Sequence, residues 1–207
     1  MRYTRIMETK LIYLEYMSQY VCEAKVVDVL SEEGRTIVIL DQTVFYPQGG
    51  GQPYDTGTLT GRNGVLFSVE EVRHVESETG DMVRHIGKFE NGTFVAGDTV
   101  TCAVDVERRH LHSRLHSAGH VVDMGLKKLG LPWKAGKGYH FPNGPYDEYA
   151  GNLNGADTAK MRVELEAACN QVISEAVSVR VLFMKWEDMK PVCAFVPDRI
   201  PSNKPGR

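Results

Sequence analysis

The stretch that decides the organisation of this chain is RHLHSRLHSAGH, residues 109–120, which holds four of its seven histidines. His112, His116 and His120 are spaced four positions apart. On a helix, side chains at this spacing lie on one ridge, and neighbouring imidazoles can converge on one point. The spacing predicts a helix that presents His116 and His120 to a common ligand such as a metal ion.

The predicted helix covers residues 106–129. Apolar residues recur along it at the helical period, and two lysines followed by Gly130 are typical of a helix end. We expect the apolar face to be buried against a core. That face consists of Leu111, Leu115, Ala118, Val122, Leu126 and Leu129.

The histidines of this helix divide into two groups. On a helical wheel His116 and His120 lie away from the leucine face, so we expect them to face a cleft, whereas His110 and His112 are expected in solvent. A pair spaced H-x-x-x-H is by itself a moderate indicator of a metal, and a solvated histidine-rich face is the alternative. Ser117 stands where a zinc metalloprotease has its glutamate, which argues against peptidase chemistry.

Composition and charge limit the class of protein. The 207 residues are 42% hydrophobic, enough for one large domain or two small ones. The net charge of -3 argues against a protein that binds nucleic acid by bulk electrostatics, although a local basic surface remains possible. Four distant cysteines without a C-x-x-C pair predict reduced thiols rather than a zinc ribbon or a disulfide scaffold.

Targeting and membrane signals are not expected. Glu8 and Glu15 interrupt what would be the apolar part of a signal peptide. No apolar run approaches the roughly 20 residues that span a bilayer. We therefore expect a cytoplasmic protein with no membrane association.

The first half of the chain reads as short strands separated by turns. Glycine and asparagine-glycine pairs punctuate β-branched and alternating runs, a pattern typical of a small barrel or a strongly curved antiparallel sheet. We assign it to a β-barrel-like domain over residues 1–105. The predicted strands are Glu23–Val29, Thr36–Leu40, Val65–Val72, Met82–Ile86 and Thr99–Val104.

A glycine-rich loop stands out in this half. It reads FYPQGGGQPYDTG, residues 45–57, with its glycine-rich part at 47–53. Adjacent glycines allow close approach to a ligand and expose backbone amides. The loop lacks the Gly-Lys-Ser/Thr of a phosphate-binding P-loop. A flexible hairpin tip is the alternative, but the flanking aromatic residues and prolines are stiff, so Gln52 could present a fixed amide to a substrate.

The second half, residues 106–207, reads as α+β. Residues 133–144 are predicted as strand and turn, and a second helix is predicted from Asp157 or Thr158 to about Ala176. Residues 179–186 are predicted as another strand, and residues 197–207 as an irregular tail. Helices packed on a small antiparallel sheet would account for this pattern.

Three stretches together resemble one family. They are FYPQGGGQP (45–53) followed by Asp55 and Gly57, HSAGH (116–120) and GKGYHF (136–141). In this order they resemble the editing domain of alanyl-tRNA synthetase and its freestanding relatives, the alanyl-tRNA editing proteins. The resemblance covers nearly the whole chain.

The resemblance implies a fold and a reaction. The expected fold is α+β, with an N-terminal β-barrel-like domain followed by an α/β editing domain, whose His-bearing helix packs on a small antiparallel sheet. The expected activity is ATP-independent hydrolysis of the ester in a tRNA for alanine that carries serine or glycine, which serves translation fidelity. The expected partner is therefore tRNA.

The resemblance also implies site residues. His116 and His120 match two zinc ligands of the family, and a metal-bound water would be the expected nucleophile. The family's other two ligands, a Cys and a His in a later Cys-Gly-Gly-Thr-His-like motif, are not in this sequence. Cys193 can be considered as a substitute ligand, although its apolar neighbours favour simple packing.

Substrate binding would involve five further residues by the same resemblance. The terminal adenosine or the aminoacyl group would be held by the glycine-rich loop, and the strand that follows the helix would line the amino-acid pocket. These residues are Gly50, Gly51, Gln52, Lys137 and His140.

Basic residues around the helix are candidates for contact with the tRNA backbone, with a solvated surface as the alternative. They are Arg108, Arg109, Arg114, Lys127, Lys128 and Lys134.

Two other functions remain open from the sequence. One is a metal-free relative that binds tRNA or a synthetase without catalysis. The other is a metal-dependent hydrolase of a small ester or amide.

Overall fold

The computed structural model describes residues 8–75, 80–155, 157–189 and 191–192, and their fold is α+β, as predicted. Ten strands and four helices lie within these ranges. In chain order they are β1 (Lys10–Leu11), α1 (Ile12–Glu15), β2 (Val21–Glu32), β3 (Arg35–Leu40), β4 (Gln42–Thr43), β5 (Gly57–Gly61), β6 (Leu66–Val75), β7 (Met82–Asn91), β8 (Thr99–Val104), α2 (Val106–Lys128), β9 (Lys134–Tyr139), β10 (Tyr146–Ala150), α3 (Thr158–Ser174) and α4 (Trp186–Met189).

The chain divides into two compact units. The first contains the described residues up to Gly119 together with Gly138–Tyr146. The second contains His120–Lys137 and the described residues from Asp147 onwards. This division falls inside α2, whereas the domain boundary predicted between residues 105 and 106 precedes that helix and stays a prediction.

A closed six-stranded barrel forms the body of the first unit. Its strand order is β2-β3-β7-β6-β5-β8, each neighbouring pair is antiparallel, and β8 pairs back with β2. Closure leaves no unpaired sheet edge. The prediction of a β-barrel-like first half is therefore confirmed.

The barrel forms because apolar residues alternate along its strands. In β2 the side chains of Cys22, Ala24 and Val26 are buried, while the residues between them are exposed. Successive side chains of a strand point to opposite faces, so this alternation fills the barrel interior and leaves polar residues outside. Cys22 pairs in register with Cys102 of β8, and both are free thiols.

One barrel strand was not predicted. The five predicted strands correspond to β2, β3, β6, β7 and β8, but β5 has the sequence GTLTG and lacks a strand-like composition. Its first residue, Gly57, lies directly against the backbone of Ala103 in β8, where any Cβ would collide with the Ala103 carbonyl oxygen. The glycine that lowers strand propensity is thus what permits this strand to pair so closely.

A histidine is buried in the barrel wall. His85 is fully buried, its Nε2 lies 2.8 Å from the hydroxyl of Thr43, and its Nδ1 lies 3.1 Å from the carbonyl oxygen of Val38. Burial lowers the pKa of His85 to about 4, so the ring is neutral at pH 7. A neutral imidazole with both nitrogens bonded is a satisfied core residue.

The first turns of α2 bury a different face from the one predicted. Leu111 is 49% exposed and Ala118 is exposed, whereas Arg109 and His112 are buried. The expectation of a buried leucine face, and that of a solvated His112, are wrong over this part of the helix. The reason is that Arg109 has a buried acidic partner in the barrel unit, which lets a charged residue face inward.

The second unit contains residues 134–137 of β9, residues 147–150 of β10 and the helix α3, and β9 pairs with β10 in a two-stranded sheet. The strand and turn predicted over residues 133–144 are confirmed by β9 and the turn after it, but β10 was not predicted. The helix predicted from Asp157 or Thr158 is confirmed as α3, because the Asp157 carboxylate accepts the backbone N–H groups of Ala159 and Lys160. The packing of the His-bearing helix on a small sheet stays a prediction.

Within this unit the last turns of α2 pack against α3. Gly125 lies so close to Cys169 and Leu165 that a Cβ there would be 2.7 Å from the Cys169 sulfur. Leu126 is buried as predicted. The helix then ends at Lys128, and Gly130 follows with φ +69°, the left-handed conformation expected of a helix stop.

The strand predicted over residues 179–186 is wrong. Val179 and Leu182 are largely exposed, no strand among the described residues pairs with this segment over 179–183, and α4 begins at residue 186. An apolar, β-branched composition favours a strand only when a partner edge is available. Cys193 and the predicted irregular tail lie outside the described residues.

A search of the helices in the described ranges finds none with the length and apolarity of a membrane span.

Candidate functional site

The glycine-rich loop joins β4 to β5 and is closed by hydrogen bonds at its base. The Asp55 amide donates to the Tyr46 carbonyl at 3.0 Å, and the Tyr46 amide donates to the Asp55 carboxylate at 2.6 Å. Nearer the tip, Gly49 and Gln52 exchange two backbone hydrogen bonds. The Tyr46 hydroxyl also donates to the Gly49 carbonyl at 3.0 Å. The loop is therefore a hydrogen-bonded hairpin with Gly50 and Gly51 at its turn.

The two tip glycines are required by conformation and by space. Gly50 and Gly51 have φ values of +54° and +78°, which favour glycine. A Cβ on Gly51 would lie 2.5 Å from the carbonyl oxygen of Gly138 and 2.9 Å from the His140 ring. The Gly51 carbonyl also accepts the His140 backbone N–H at 2.9 Å. The loop tip and the segment 138–140 thus meet backbone to backbone.

Gln52 and His116 form the central polar contact of the first unit. Gln52 is buried, and its Oε1 lies 3.0 Å from His116 Nδ1. With the amide oxygen facing the ring, His116 Nδ1–H donates, and the lone pair of the neutral imidazole is then on Nε2. A Cβ on Gly50 would be 3.5 Å from the His116 ring, so the ring edge faces the glycine turn.

His140 completes this cluster. Its ring stacks on that of His116, with centroids 4.7 Å apart and an interplanar angle of 16°. His140 is itself buried. Three predicted site residues therefore contact His116, namely Gly50, Gln52 and His140, and Gly51 lies against His140.

A buried ion pair fixes the loop to the start of α2. Arg109 Nε lies 3.0 Å from both carboxylate oxygens of Asp55, and Arg109 Nη2 also donates to Asp55. The same guanidinium donates to the carbonyls of Val44 at 2.7 Å and Met17 at 3.2 Å. The Nε, Nη1 and Nη2 atoms of Arg109 thus each donate to an oxygen atom, and these hydrogen bonds make the burial of the two charges tolerable.

His120 and Lys137, the other predicted site residues, belong to the second unit. The His120 side chain is 71% exposed, and its Nδ1 lies 3.3 Å from the Asp123 carboxylate. The hydroxyl of Tyr149 donates to Asp123 at 2.7 Å. Burial, together with the Asp123 carboxylate, raises the pKa of Tyr149 well above its ordinary value, so Tyr149 keeps its proton. Lys137 is exposed on β9.

The described residues do not complete a metal site. No group of three or more His, Cys, Asp or Glu side chains within the described part of the chain could hold a metal ion. His116 and His120 each have Nδ1 next to an oxygen acceptor, an arrangement that in metalloproteins leaves Nε2 to bind the metal. A catalytic zinc normally takes about three protein ligands. A metal bound by His116 and His120 stays a prediction.

The sequence did not reveal the roles of Asp55, Arg109 and His112. Arg109 was a candidate for tRNA contact, but it is buried against Asp55. His112 is 2% exposed, and its Nδ1 has no hydrogen-bond partner among the described residues. Burial, and then the charge of Arg108, lower the pKa of His112. The only sequence signal for the ion pair was an aspartate two positions after Pro53 in the glycine-rich stretch.

Comparison with known proteins identifies relatives of this chain. The sequence model of the family described as tRNA synthetases class II (A) matches residues 4–108. The alanyl-tRNA editing protein AlaX-M of Saccharolobus solfataricus is 32% identical over 171 residues, which cover 79% of this chain and 68% of that protein.

Two further relatives are longer proteins. The alanyl-tRNA editing protein AlaX-L of Pyrococcus horikoshii is 38% identical over 107 residues, which cover 52% of this chain and 25% of that protein. An alanine–tRNA ligase of Methanothrix thermoacetophila is 34% identical over 160 residues, which cover 76% of this chain and 16% of the ligase. The chain therefore spans only a small part of these two relatives.

Proposed function

Because this chain belongs to the family of alanyl-tRNA editing proteins, we propose that it hydrolyses the ester bond of a tRNA for alanine that carries the wrong amino acid, serine or glycine. The observation that supports this proposal most directly is the hydrogen bond between Gln52 and His116 beside the glycine turn. It joins a polar group of the barrel loop to the His116 imidazole.

The glycine turn is suited to hold the end of the substrate. Gly50 has no side chain to cover its backbone, so a ribose or an ester group can approach it closely, whereas one side of Gly51 is packed against Gly138 and His140. Backbone amides exposed in this way can donate to an ester carbonyl oxygen as negative charge develops on it. We assign Gly50 and Gly51 to this role, with His140 as the wall behind them.

His116 is the residue that we place at the reacting atoms. Because Gln52 accepts the proton on Nδ1, His116 Nε2 carries a lone pair that can accept a proton from water or bind a metal. Attack of the resulting hydroxide on the ester carbonyl forms the new C–O bond, and the bond to the ribose oxygen breaks. The leaving ribose oxygen takes the proton that His116 accepted from water, which gives the free ribose hydroxyl and the free amino acid and returns His116 to its starting state.

Zinc bound by His116 and His120 stays part of the proposal. When bound, such a metal would supply a polarised water or carbonyl. No third ligand joins these two donors among the described residues, and Cys193 lies outside them. Elemental analysis of the purified chain measures the zinc content directly. The zinc content of His120→Ala should be half that of the unaltered chain or less, while the Gln52–His116 contact stays unchanged.

The test of the proposed function is deacylation of serine-, glycine- and alanine-charged tRNA for alanine. We expect hydrolysis of the serine or glycine ester by the unaltered chain and a loss of about 100-fold or more for His116→Ala, the usual effect of removing a base. Gln52→Ala should also lose turnover, with a smaller loss of stability. His110→Ala is the matched control, since His110 lies on the surface of the same helix and contacts Tyr20.

Each outcome separates the alternatives. Binding of tRNA with no deacylation of any ester would favour the relative that binds without catalysis. Hydrolysis of serine methyl ester as fast as of the charged tRNA would favour the small-ester hydrolase. Full activity of His116→Ala would contradict the role that we give to this residue under either mechanism.

A further inference from the structure

Tyr54 lies between two arginine side chains at the edge of the glycine-rich loop. The guanidinium carbon of Arg73 lies 5.3 Å from the centroid of the Tyr54 ring, and that of Arg108 lies 5.5 Å from it. Both distances are within the range of cation–π contacts. Arg73 comes from β6 and Arg108 from the first turn of α2, so three separate segments of the first unit meet here.

Each arginine is oriented by contacts on its inner edge. Arg108 Nε donates to the Tyr54 carbonyl at 3.1 Å, and Arg73 Nε donates to the Glu71 carboxylate at 2.5 Å. Among the described residues, no acceptor is bonded to the terminal nitrogens of either guanidinium. These terminal N–H groups are the ones that bind phosphate oxygens in pairs.

The two arginines beside Tyr54 are not both neutralised by ion pairs among the described residues. Glu71 is shared between Arg73 and Arg35, and no carboxylate among the described residues pairs with the guanidinium of Arg108. Glu71 is thus shared by two guanidinium groups, and the nearby Asp105 carboxylate accepts the backbone N–H of Arg108 rather than its guanidinium, in a chain whose net charge is -3. All three residues of the Tyr54 cluster are only partly buried, so the charge is accessible.

From these contacts we propose that Arg73, Tyr54 and Arg108 form a binding site for the phosphodiester backbone of RNA, which we call the Arg-Tyr-Arg site. Tyr54 is two residues after Gln52, a separation of at most about 7 Å along the chain. A phosphate of the nucleotides near the esterified end can therefore contact this site while the terminal ribose lies at the glycine turn. The inference rests on the proposed function for the identity of the RNA.

The test is the salt dependence of binding. Each phosphate contact contributes about 0.7 to 0.9 to the slope of log affinity against log salt, because it releases a counterion. The RNA is an acceptor-stem minihelix of alanine tRNA that carries no amino acid. For binding of the full chain to it, the slope of log affinity against log salt should be reduced by about this amount in Arg73→Gln and in Arg108→Gln. Between about 50 and 200 mM salt, each variant should lose roughly threefold less affinity than the unaltered chain.

Arg62→Gln is the matched control. Arg62 is exposed in the turn between β5 and β6, at the opposite end of β5 from Tyr54, and its removal changes the net charge equally. Its slope should equal that of the unaltered chain. Arg108→Lys should keep the slope, because it keeps the charge, and Tyr54→Phe should keep the affinity. Unchanged melting temperatures exclude a folding defect in the arginine variants.

The outcomes distinguish this inference from the proposed function. Slopes of Arg73→Gln and Arg108→Gln equal to that of Arg62→Gln would overturn the Arg-Tyr-Arg site, even if the chain deacylates charged tRNA. Reduced slopes in a chain that deacylates nothing would support the site and contradict the proposed function. If both hold, the two variants should lose more activity on the charged tRNA than on a serine ester of adenosine, because the adenosine ester lacks the phosphates.

Discussion

Replacement of Asp55 by alanine is the sharpest test of how the loop is held. Asp55 is completely buried, and its carboxylate receives three hydrogen bonds from Arg109 and one from the Tyr46 amide. Arg109 is buried too. The change removes the acidic partner and leaves the guanidinium with only the carbonyl oxygens of Val44 and Met17.

The expected loss of stability is large. Removal of one partner of a buried ion pair costs about 3 to 5 kcal/mol, because the remaining charge is left uncompensated. In a protein of this size, 1 kcal/mol changes the melting temperature by about 2 to 4 °C. Asp55→Ala should therefore melt roughly 6 to 20 °C below the unaltered chain. The melting temperature of Asp55→Asn should lie between those of Asp55→Ala and the unaltered chain. The amide oxygen of Asn can still accept the Tyr46 N–H, but it cannot balance the charge of Arg109.

The assay is thermal unfolding followed by circular dichroism, with Glu32→Ala as the control. Glu32 pairs with Arg84 at 2.9 Å, and both side chains are partly exposed. Exposed pairs contribute at most about 1 kcal/mol, so this variant should melt within a few degrees of the unaltered chain. If Asp55→Ala melts as high as Glu32→Ala, the argument that Arg109 needs a buried acidic partner is wrong. Adding Arg109→Leu to Asp55→Ala should recover part of the loss, since the pair would then leave no unpaired charge.

Two further predictions concern the barrel and the loop tip. The pKa of His85 is about 4 in the folded chain, whereas that of an unfolded histidine is about 6.5. The free energy of unfolding should therefore fall by about 3 kcal/mol as the pH drops from about 6.5 to about 4. NMR titration of the ring should give the lower midpoint, and a midpoint near 6.5 would contradict its burial. Gly51→Ala should lower both the stability and the deacylation activity, because the new Cβ would collide with the Gly138 backbone. Gly34 also has a positive φ but lies in open space, so Gly34→Ala should lower the free energy of unfolding by only about 1 kcal/mol and keep full activity. Equal effects of the two glycine changes would show that the close approach of the loop tip is unimportant.

The barrel could be predicted from the sequence because its interior is apolar and its strands alternate. The period of two in β2 and β8 contains the information needed to place each side chain. Four strands were not predicted, namely β1, β4, β5 and β10, and β1 and β4 have only two residues each. β5 is short and bounded by glycines, and β10 alternates between exposed and half-buried residues without an apolar face. In these strands the pairing partner, rather than composition, determines the structure.

The buried face of α2 could not be predicted for a different reason. Helical periodicity predicts that leucine is buried and arginine is exposed. This prediction holds only when the charged side chain has no buried partner of opposite charge. The partner of Arg109 is Asp55, 54 positions earlier in the chain. The same limitation applies to the candidate site, since Gln52 and His116 are separated by 64 positions. Each residue could be proposed singly, but their contact depends on tertiary structure.

The ion pair between Asp55 and Arg109 holds the glycine-rich loop against α2 and so positions the Gln52–His116 contact. Arg109 precedes His116 by seven residues, which is two helical turns and about 10 Å along the axis. Asp55 follows Gln52 by three residues, and Gly49 pairs with Gln52 across the turn. Because a helix is stiff over two turns and the loop is hydrogen-bonded at both ends, the ion pair determines where the Gln52 amide meets the imidazole.

Arg108, the neighbour of Arg109, takes part in the Arg-Tyr-Arg site, and Tyr54, the neighbour of Asp55, forms its ring. A phosphate bound at that site would therefore contact the residues adjacent to the ion pair on both the loop and the helix. We infer that RNA binding reinforces the same junction that positions His116. The charge-assisted hydrogen bonds between Arg109 and Asp55 orient the loop on the helix at this junction.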